Sequence, residues 1–388
     1  MSREPTDLER LLGPDRRTWP RPRGMALAVS MIAFAVLAGM IFLRPGEGPH
    51  IDRFLFGFAD EVLSAEVESV ESAPCSYAAE LNCSLVVFTD GADRITQEFP
   101  DEVGQPHFET GDPVLLSVTQ AEDGSIAVNY YDRDRGWLLA VVALAFAGAV
   151  VLLGRMRGLA ALLGLAISVG VLVWFIVPAI IAGRDAMLVA LVGGGAIVLI
   201  SLYLAHGFTP LTHIAALGAF AALALSTALS WGVVAAARFT GLGSEEAFYL
   251  LSLPDIDLTG LLLAGIVLGS IGALDDVTVT QASAVWEVAQ ANPTLERRAY
   301  FASGLRIGRD HIASTVNTLL LAYAGAALPL LILYSLSRLS LGAVAGSEVV
   351  AVEIVRTLVG SIGLVAAVPM TTWLAARQVS KGAASAMA

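Results

Sequence analysis

Two adjacent carboxylates, Asp275 and Asp276, follow the glycine-rich apolar segment 264–274. Ionisable residues beside or within such a segment are costly in a membrane and usually face a cavity or the interior of a helix bundle. If both acids are buried, they do not ionise to the same extent, so one of them is expected to exchange a proton near neutral pH. The pattern predicts a protonatable or cation-binding pair.

The residues before the pair indicate which acid is buried. Three glycines and the second acid recur at intervals of four, three and four: Gly265, Gly269, Gly272 and Asp276. On a helix these positions share one face, and small residues let a neighbouring helix approach closely. Asp276 is then expected at a packed interface, with Asp275 about 100° around the helix. The alternative is a helix that ends at Leu274 and leaves both acids in the cytoplasmic headgroup layer.

Further polar residues are expected to complete this site. Directly after the pair, the same segment carries Thr278, Thr280 and Gln281. A second polar set has helical spacing at the start of a later apolar segment: Arg306, Asp310, Ser314 and Asn317. Arg306 and Asp310 can form an i,i+4 pair. A single Asn in a membrane often only holds two helices together, which is worth ~1 kcal/mol. Because Asn317 lies on the same helical face as Arg306 and Asp310, we instead expect the three residues to form a wall opposite the acidic pair.

The sequence lacks the residue patterns that enzymes, cofactor sites and metal sites usually require. The chain has one lysine, Lys381, which argues against a P-loop lysine or a Schiff-base lysine in the interior. Its five histidines are scattered, and it contains neither His-Glu-x-x-His nor Cys-x-x-Cys. The sequence also has no recognisable nucleophile–base pair. We therefore expect no enzyme activity, no cofactor and no metal site.

Membrane spans account for most of the chain. Of its 388 residues, 56% are hydrophobic and 15% are charged, against roughly 25% charged residues in soluble domains. Eight apolar segments approach the roughly 20 residues that a helix needs to cross a bilayer. They are 25–43, 137–153, 159–181, 186–205, 212–237, 258–274, 315–336 and 354–375. The sequence predicts a polytopic α-helical membrane protein with about eight transmembrane helices.

Arginines orient these segments. Six arginines precede the first span, which places the N-terminus in the cytoplasm by the positive-inside rule. No small-x-small cleavage site follows that span, so we expect an uncleaved anchor. Both termini are then cytoplasmic. The predicted order is an Arg-rich N-terminus (1–24), helix 1 (25–43), an extracytoplasmic domain (44–136), a bundle of seven helices (137–376) and a cytoplasmic tail (377–388).

The segment 44–136 has the composition of a soluble domain. It carries 19 Asp and Glu against 5 Arg, which argues against nucleic acid as a partner because phosphate contacts need basic residues. Alternating patterns predict strands at 65–70, 81–88, 113–119 and 126–131, as in a small OB-like barrel or sandwich.

The only two cysteines of the chain, Cys75 and Cys83, lie in this domain, eight residues apart. Outside the cytoplasm, that spacing suits one disulfide that closes a small loop. Two free thiols are the alternative.

Two stretches resemble the signature of the YibE/F-like bacterial membrane proteins. They are residues 272–287, GALDDVTVTQASAVWE, and residues 304–318, GLRIGRDHIASTVNT. The resemblance extends from the predicted extracytoplasmic domain to the last span. It implies a multi-spanning protein of the bacterial inner membrane and does not imply an activity.

The last three spans also resemble, more distantly, the SecD/SecF export proteins of the resistance-nodulation-division superfamily. In those proteins a Gly-rich helix ends in an acidic or polar pair, an amphipathic cytoplasmic helix follows, and a Ser/Thr-rich helix returns. The resemblance places Asp275 at the position of a proton-relay aspartate, whereas the glycine face favours Asp276. Seven spans rather than five follow the external domain here, and that domain is small.

These features together favour a secondary transporter or a proton-coupled export protein of the bacterial inner membrane. Its direct partners would be the lipid bilayer and a small ion or solute. The alternative is an assembly or scaffold protein that does not transport, whose extracytoplasmic domain binds a partner. Either protein could form a homo-oligomer.

Overall fold

The computed structural model describes residues 23–46, 59, 61–120, 126–253, 256–337 and 339–387. Most of the predicted Arg-rich N-terminus, residues 1–22, lies outside this part of the chain. The chain forms two compact units: His50–Leu152, and Leu153–Ala388 together with Met1–Pro49. Buried hydrophobic residues form a separate core in the sheet of the first unit and in the helices of the second.

Five antiparallel strands form one sheet in the first unit. They are β1 (Glu61–Cys75), β2 (Ala78–Thr89), β3 (Arg94–Pro100), β4 (Pro113–Gln120) and β5 (Ile126–Arg133). Their order in space is β3-β2-β1-β4-β5. The long central strand β1 pairs first with β4 and then with β2, and a bulge between Val67 and Ser69 follows the change of partner. The four predicted strands are confirmed, and β3 is the additional one.

One face of this sheet carries the core of the first unit. The buried residues alternate along the strands, as expected for a strand with one apolar face. They include Val67, Val86, Phe88, Val114 and Leu116. Four aromatic rings of this core pack against one another, with centroids 4.8 to 6.2 Å apart: Phe88, Phe99, Phe108 and Tyr130. Burial in this cluster raises the pKa of the Tyr130 phenol.

A single side chain joins the two edge strands of the sheet. Gln97 on β3 donates from Nε2 to the carbonyl oxygen of Val128 at 2.8 Å. Its Oε1 accepts from the backbone N–H of Tyr130, also at 2.8 Å. Val128 and Tyr130 belong to β5, so the amide satisfies backbone groups that an open edge would leave unpaired. The sheet is therefore curled towards closure.

The hairpin between β1 and β2 is closed by a disulfide. Cys75 and Cys83 are bonded, with their Cα atoms 5.0 Å apart, which confirms the predicted pairing. Next to it, the backbone N–H and hydroxyl of Ser76 donate to the Glu98 carboxylate at 2.5 and 2.6 Å. These bonds attach the tip of the hairpin to β3.

Helices make up the rest of the described chain. They are α1 (Arg23–Phe42), α2 (Gly136–Val171) with a π-helical turn (Leu172–Ile176), α3 (Val177–Ile181), α4 (Ala186–His206), α5 (Pro210–Ala237), α6 (Glu245–Leu250), α7 (Leu258–Ala291), α8 (Arg297–Ala326), α9 (Leu328–Leu336), α10 (Leu341–Gly346) and α11 (Glu348–Met387). Among the described residues, six helices are long and apolar enough to cross a membrane. The number is seven if α8 and α9, which meet at 64°, form one broken span. This architecture is compatible with a multi-pass membrane protein.

The longest apolar helical stretch contains a break. Gly136–Ile181 comprises 46 residues, which as one straight helix would be about 69 Å long. A hydrocarbon core is only about 30 Å thick. At Arg155 the backbone leaves the helical region, with φ 50° and ψ −130°. The predicted spans 137–153 and 159–181 lie on either side of this break.

Helix α7 lies at the centre of the second unit and packs against α4, α5, α8 and α11. Small residues allow this close packing. On α5, Ala215, Ala219 and Ala222 are fully buried, and Gly218 lies against the side chain of Thr371 on α11. The N-terminus of α7 is capped by Asp257, whose side chain accepts from the N–H of Thr259 at 3.0 Å.

Candidate functional site

The acidic pair lies within α7, which continues past it to Ala291. The alternative in which the helix ends at Leu274 is therefore wrong. Because adjacent residues on a helix point about 100° apart, the two carboxylates face different surroundings. Asp275 points towards α4 and is partly buried, whereas Asp276 is exposed.

The Asp275 carboxylate has one bonded and one unbonded oxygen. The Ser201 hydroxyl on α4 donates to Oδ2 at 2.7 Å. Oδ1 is buried but has no hydrogen-bond partner among the described residues. A buried polar atom without a partner is uncommon in proteins and requires an explanation, such as a bound ion, water or proton. Oδ1 is such an atom.

Asp275 lines a cavity of about 490 Å³ between α2, α4 and α7. Most of its wall is apolar. The polar side chains that line it are Ser168, Ser201, His206 and Asp275. The Ser168 hydroxyl donates to the carbonyl oxygen of Gly164, one turn earlier in its own helix, at 2.8 Å. Asp275 is therefore the only acid, and no Lys or Arg is present, among the described residues that line the cavity.

The predicted position of Asp276 at a packed interface is wrong. Its side chain is 69% exposed, and its Oδ2 lies 3.9 Å from Nε2 of His311 on α8, beyond hydrogen-bond distance. The packed face of α7 runs instead through Leu274, Val277 and Thr278. Gly272 has no atom within 4 Å of its Cβ direction, because it borders the cavity rather than a helix.

The polar residues after the pair stabilise helix packing. Thr278 is buried, and its hydroxyl donates to the carbonyl oxygen of Asp275 at 3.1 Å. Gln281 is also buried, and its Nε2 donates to Gly304 O on α8 and to Thr372 Oγ1 on α11, both at 2.7 Å. Gln281 thus joins three helices, whereas Thr280 is exposed.

The predicted wall on α8 does not face the acidic pair. Arg306, Asp310 and Asn317 are all exposed on the outer side of the helix. The side of α8 that packs against α7 carries two glycines, Gly304 and Gly308, which are buried. The predicted polar residues do share one face of the helix, but that face points away from the bundle.

Sequence reasoning missed three residues of the observed site. Ser168, Ser201 and His206 line the cavity, but each is an isolated polar residue in an apolar segment. Small hydroxyls are common in membrane helices as helix–helix contacts. The pattern alone therefore did not distinguish them.

A second polar cluster lies about 15 Å along α7 from Asp275, at the level of Gly265. Arg356 on α11 forms an ion pair with Glu353, with Nη1 2.9 Å from Oε1. The Arg356 guanidinium lies beside Gly265, and the Tyr323 hydroxyl donates to the carbonyl oxygen of Gly269 at 3.2 Å. A cavity of about 230 Å³ borders this ion pair and also contains Ser244 and Glu246. Gly265 and Gly269 provide space for these side chains.

One set of side chains in the described residues is close enough to share a metal ion: Cys75, Cys83 and Glu98. The two sulfurs are bonded to each other. Metal binding requires the thiolate form of cysteine, so this set does not provide a metal site while the disulfide is intact.

The comparisons with known proteins agree with the sequence motifs. The family described as YibE/F-like protein matches residues 142–381, which include α7, α8 and the Asp275 cavity. No curated protein and no solved structure matches the chain. The resemblance to SecD/SecF is not shown and stays a prediction. Because the family match covers more than half of the 388 residues, the chain belongs to the YibE/F-like family.

Proposed function

We propose that the protein is a secondary transporter or proton-coupled export protein of the bacterial inner membrane, with Asp275 as its protonatable group. The observation that carries this proposal is Asp275, which lines a cavity between apolar helices and whose buried Oδ1 accepts no hydrogen bond from any described residue. Intramembrane acids that face cavities are typical of proton relays in pumps and transporters.

The surroundings of Asp275 suit a group that gains and loses a proton. In the charged form, the carboxylate accepts a hydrogen bond from the Ser201 hydroxyl on Oδ2, while the buried Oδ1 accepts none from the described residues and can therefore carry a proton. The other titratable groups nearby are Asp276, the next residue on the same helix, and His206, across the cavity on α4. His311 faces Asp276 rather than the cavity.

A second polar cavity supports transport rather than an isolated buried acid. The Arg356–Glu353 pair and the Asp275 carboxylate border the same helix, α7, at two levels. Transporters bind their cargo through polar groups between helices inside the membrane, and here such groups lie at two depths along α7. In this proposal, α7 and the helices packed against it rearrange so that cargo passes between the Asp275 cavity and the Arg356–Glu353 cavity.

The topology that we propose has eight spans. The six apolar helices become eight if the break at Arg155 divides Gly136–Ile181 into two spans and if α8 and α9 form one bent span.

We also propose an OB-like barrel for the sheet, since β1 pairs along both sides and Gln97 joins β3 to β5.

Proton movement into proteoliposomes with an internal pH-sensitive dye tests this function. We expect Asp275→Asn to abolish the movement, because the amide keeps the shape but cannot take up the proton. Ser201→Ala should lower the rate roughly tenfold, the effect of losing a hydrogen bond to a charged group. Ser201→Thr keeps the hydroxyl and should restore most of the rate.

Asp310→Asn is the matched control, because Asp310 is an exposed aspartate outside the cavity. It should leave proton movement at the wild-type rate. Wild-type rates of proton movement with folded Asp275→Asn protein would contradict the proposal. So would wild-type protein that moves protons no faster than protein-free liposomes do.

One observation favours a scaffold function as the second candidate. Arg306, Asp310 and Asn317 form an exposed polar stripe on α8, and Asn317, which lies within the predicted span 315–336, is costly if it faces lipid. A partner helix that covered the stripe would remove that cost. In this case, Asp310→Asn and Asn317→Ala would release a cross-linked partner, whereas Asp275→Asn would have no effect.

A further inference from the structure

The wall of the Asp275 cavity restricts what it can hold. Its apolar side chains come from all three helices that surround it: Leu165, Val169, Leu172, Ile197, Leu268 and Ile271. Its volume of about 490 Å³ lies within the range of roughly 300–1,000 Å³ that is usual for small-molecule sites. The space is therefore suited to an organic molecule with substantial apolar surface.

The charge of the cavity restricts the occupant further. Among the described residues of the wall, Asp275 is the only acid, and it is negative when ionised. None of these described residues is a Lys or an Arg. An anionic headgroup or substrate would meet this carboxylate without any Lys or Arg to balance it. A positively charged group near the ionised carboxylate would be attracted to it in the apolar surroundings, where electrostatic interactions are less screened.

A bare metal cation fits this site poorly. Calcium and magnesium require about six or more oxygen ligands. The cavity offers one carboxylate, and the hydroxyls of Ser168 and Ser201 are directed to Gly164 and to Asp275 itself. Apart from His206, the other side chains of the described wall are apolar and cannot replace the water shell of such an ion.

We propose that this cavity binds an amphiphilic organic cation, with the cationic centre near the Asp275 carboxylate and its apolar groups against Leu165, Val169 and Ile271. This inference rests on the proposed transport function and names the class of its substrate. The cation and the proton then compete for the same carboxylate, so binding of one releases the other. That competition couples proton movement in one direction to cation movement in the other.

Tetraphenylphosphonium and tetraphenylborate test this inference, because the two ions have nearly the same shape and opposite charge. Equilibrium dialysis with the purified full-length protein would measure the binding of each. We expect saturable binding of the phosphonium and at least tenfold weaker binding of the borate. Asp275→Asn should weaken phosphonium binding at least tenfold.

A steric variant keeps the test independent of the carboxylate. Gly272 lines the cavity and has open space in its Cβ direction, so Gly272→Leu would fill the cavity without a collision at Cβ. It should also weaken phosphonium binding at least tenfold. Gly325→Leu on α8, whose Cβ direction is likewise open, and Asp310→Asn are the matched controls and should bind as the wild type does.

Equal binding of both ions, or phosphonium binding that neither variant changes, would overturn the inference and indicate non-specific uptake of apolar ions. The proton assay separates this failure from failure of transport. If proton movement depends on Asp275 while no phosphonium binds, the transport proposal stands and the substrate class is wrong.

Discussion

At the residue scale, the neighbours of each acid determine its role more than its position in the sequence does. Asp275 and Asp276 are adjacent and chemically identical. One accepts a hydrogen bond from Ser201 inside a cavity, and the other is exposed near His311. A rotation of about 100° along the helix separates these surroundings. Of the two acids, Asp275 therefore combines partial burial with an oxygen that accepts no hydrogen bond from the described residues.

Gln281 is expected to contribute to stability rather than to transport. Gln281→Ala removes the donor to Gly304 O and Thr372 Oγ1, and leaving buried groups unpaired costs about 1–3 kcal/mol. We expect a lower thermal unfolding midpoint in detergent than for the wild type. Thr280→Ala, one position away and exposed, should change stability by no more than about 0.5 kcal/mol. Equal midpoints for the two variants would show that the hydrogen bonds of Gln281 do not stabilise the bundle.

At the element scale, the contact between α7 and α8 depends on glycine. A Cβ atom on Gly304 would lie 2.6 Å from Val285 Cγ2 on α7, which is closer than van der Waals contact allows. Gly304→Ala should therefore destabilise the bundle by about 1–3 kcal/mol, the usual cost of overpacking. Gly325 lies on the same helix with open space in its Cβ direction. Gly325→Ala should be neutral or should stabilise α8 by up to about 1 kcal/mol, since Ala favours helix over Gly.

Chemical denaturation of both variants, followed by helix signal, would measure this difference. A Gly304→Ala protein as stable as Gly325→Ala would mean that α7 and α8 are not in contact at this position.

The elements were predictable from the sequence, but the faces that they bury were only partly so. Strands β1, β2, β4 and β5 follow from alternation, and the apolar helices follow from the length of their apolar runs. The helical wheel of α8 shows two possible contact faces: the polar stripe with Arg306 and the glycine face with Gly304. Periodicity identifies each face but does not say which one meets the bundle, because that depends on the shape of the neighbouring helix. Gly304 and Gly308, four residues apart, were the signal of the packed face.

At the scale of the whole molecule, the number of spans depends on α2. The stretch Gly136–Ile181 is more than twice as long as a hydrocarbon core is thick, so it cannot cross a bilayer as one straight helix. The break at Arg155 divides it into two parts that each have the length of one span. Two spans in this stretch place its two ends on the same side of the membrane. In the topology that we propose, Arg155 and Arg157 then lie at the cytoplasmic surface, in agreement with the positive-inside rule.

Labelling of introduced cysteines with a membrane-impermeant maleimide tests this topology in intact cells and in inverted vesicles. Val103→Cys, at an exposed position that follows β3, should react only from outside, while Cys75 and Cys83 are protected by their disulfide. Arg157→Cys, just after the break, should react only from the cytoplasmic side. If Arg157→Cys reacts from the same side as Val103→Cys, the stretch Gly136–Ile181 does not form two spans. In that case the position of every later helix relative to the membrane has to be reversed.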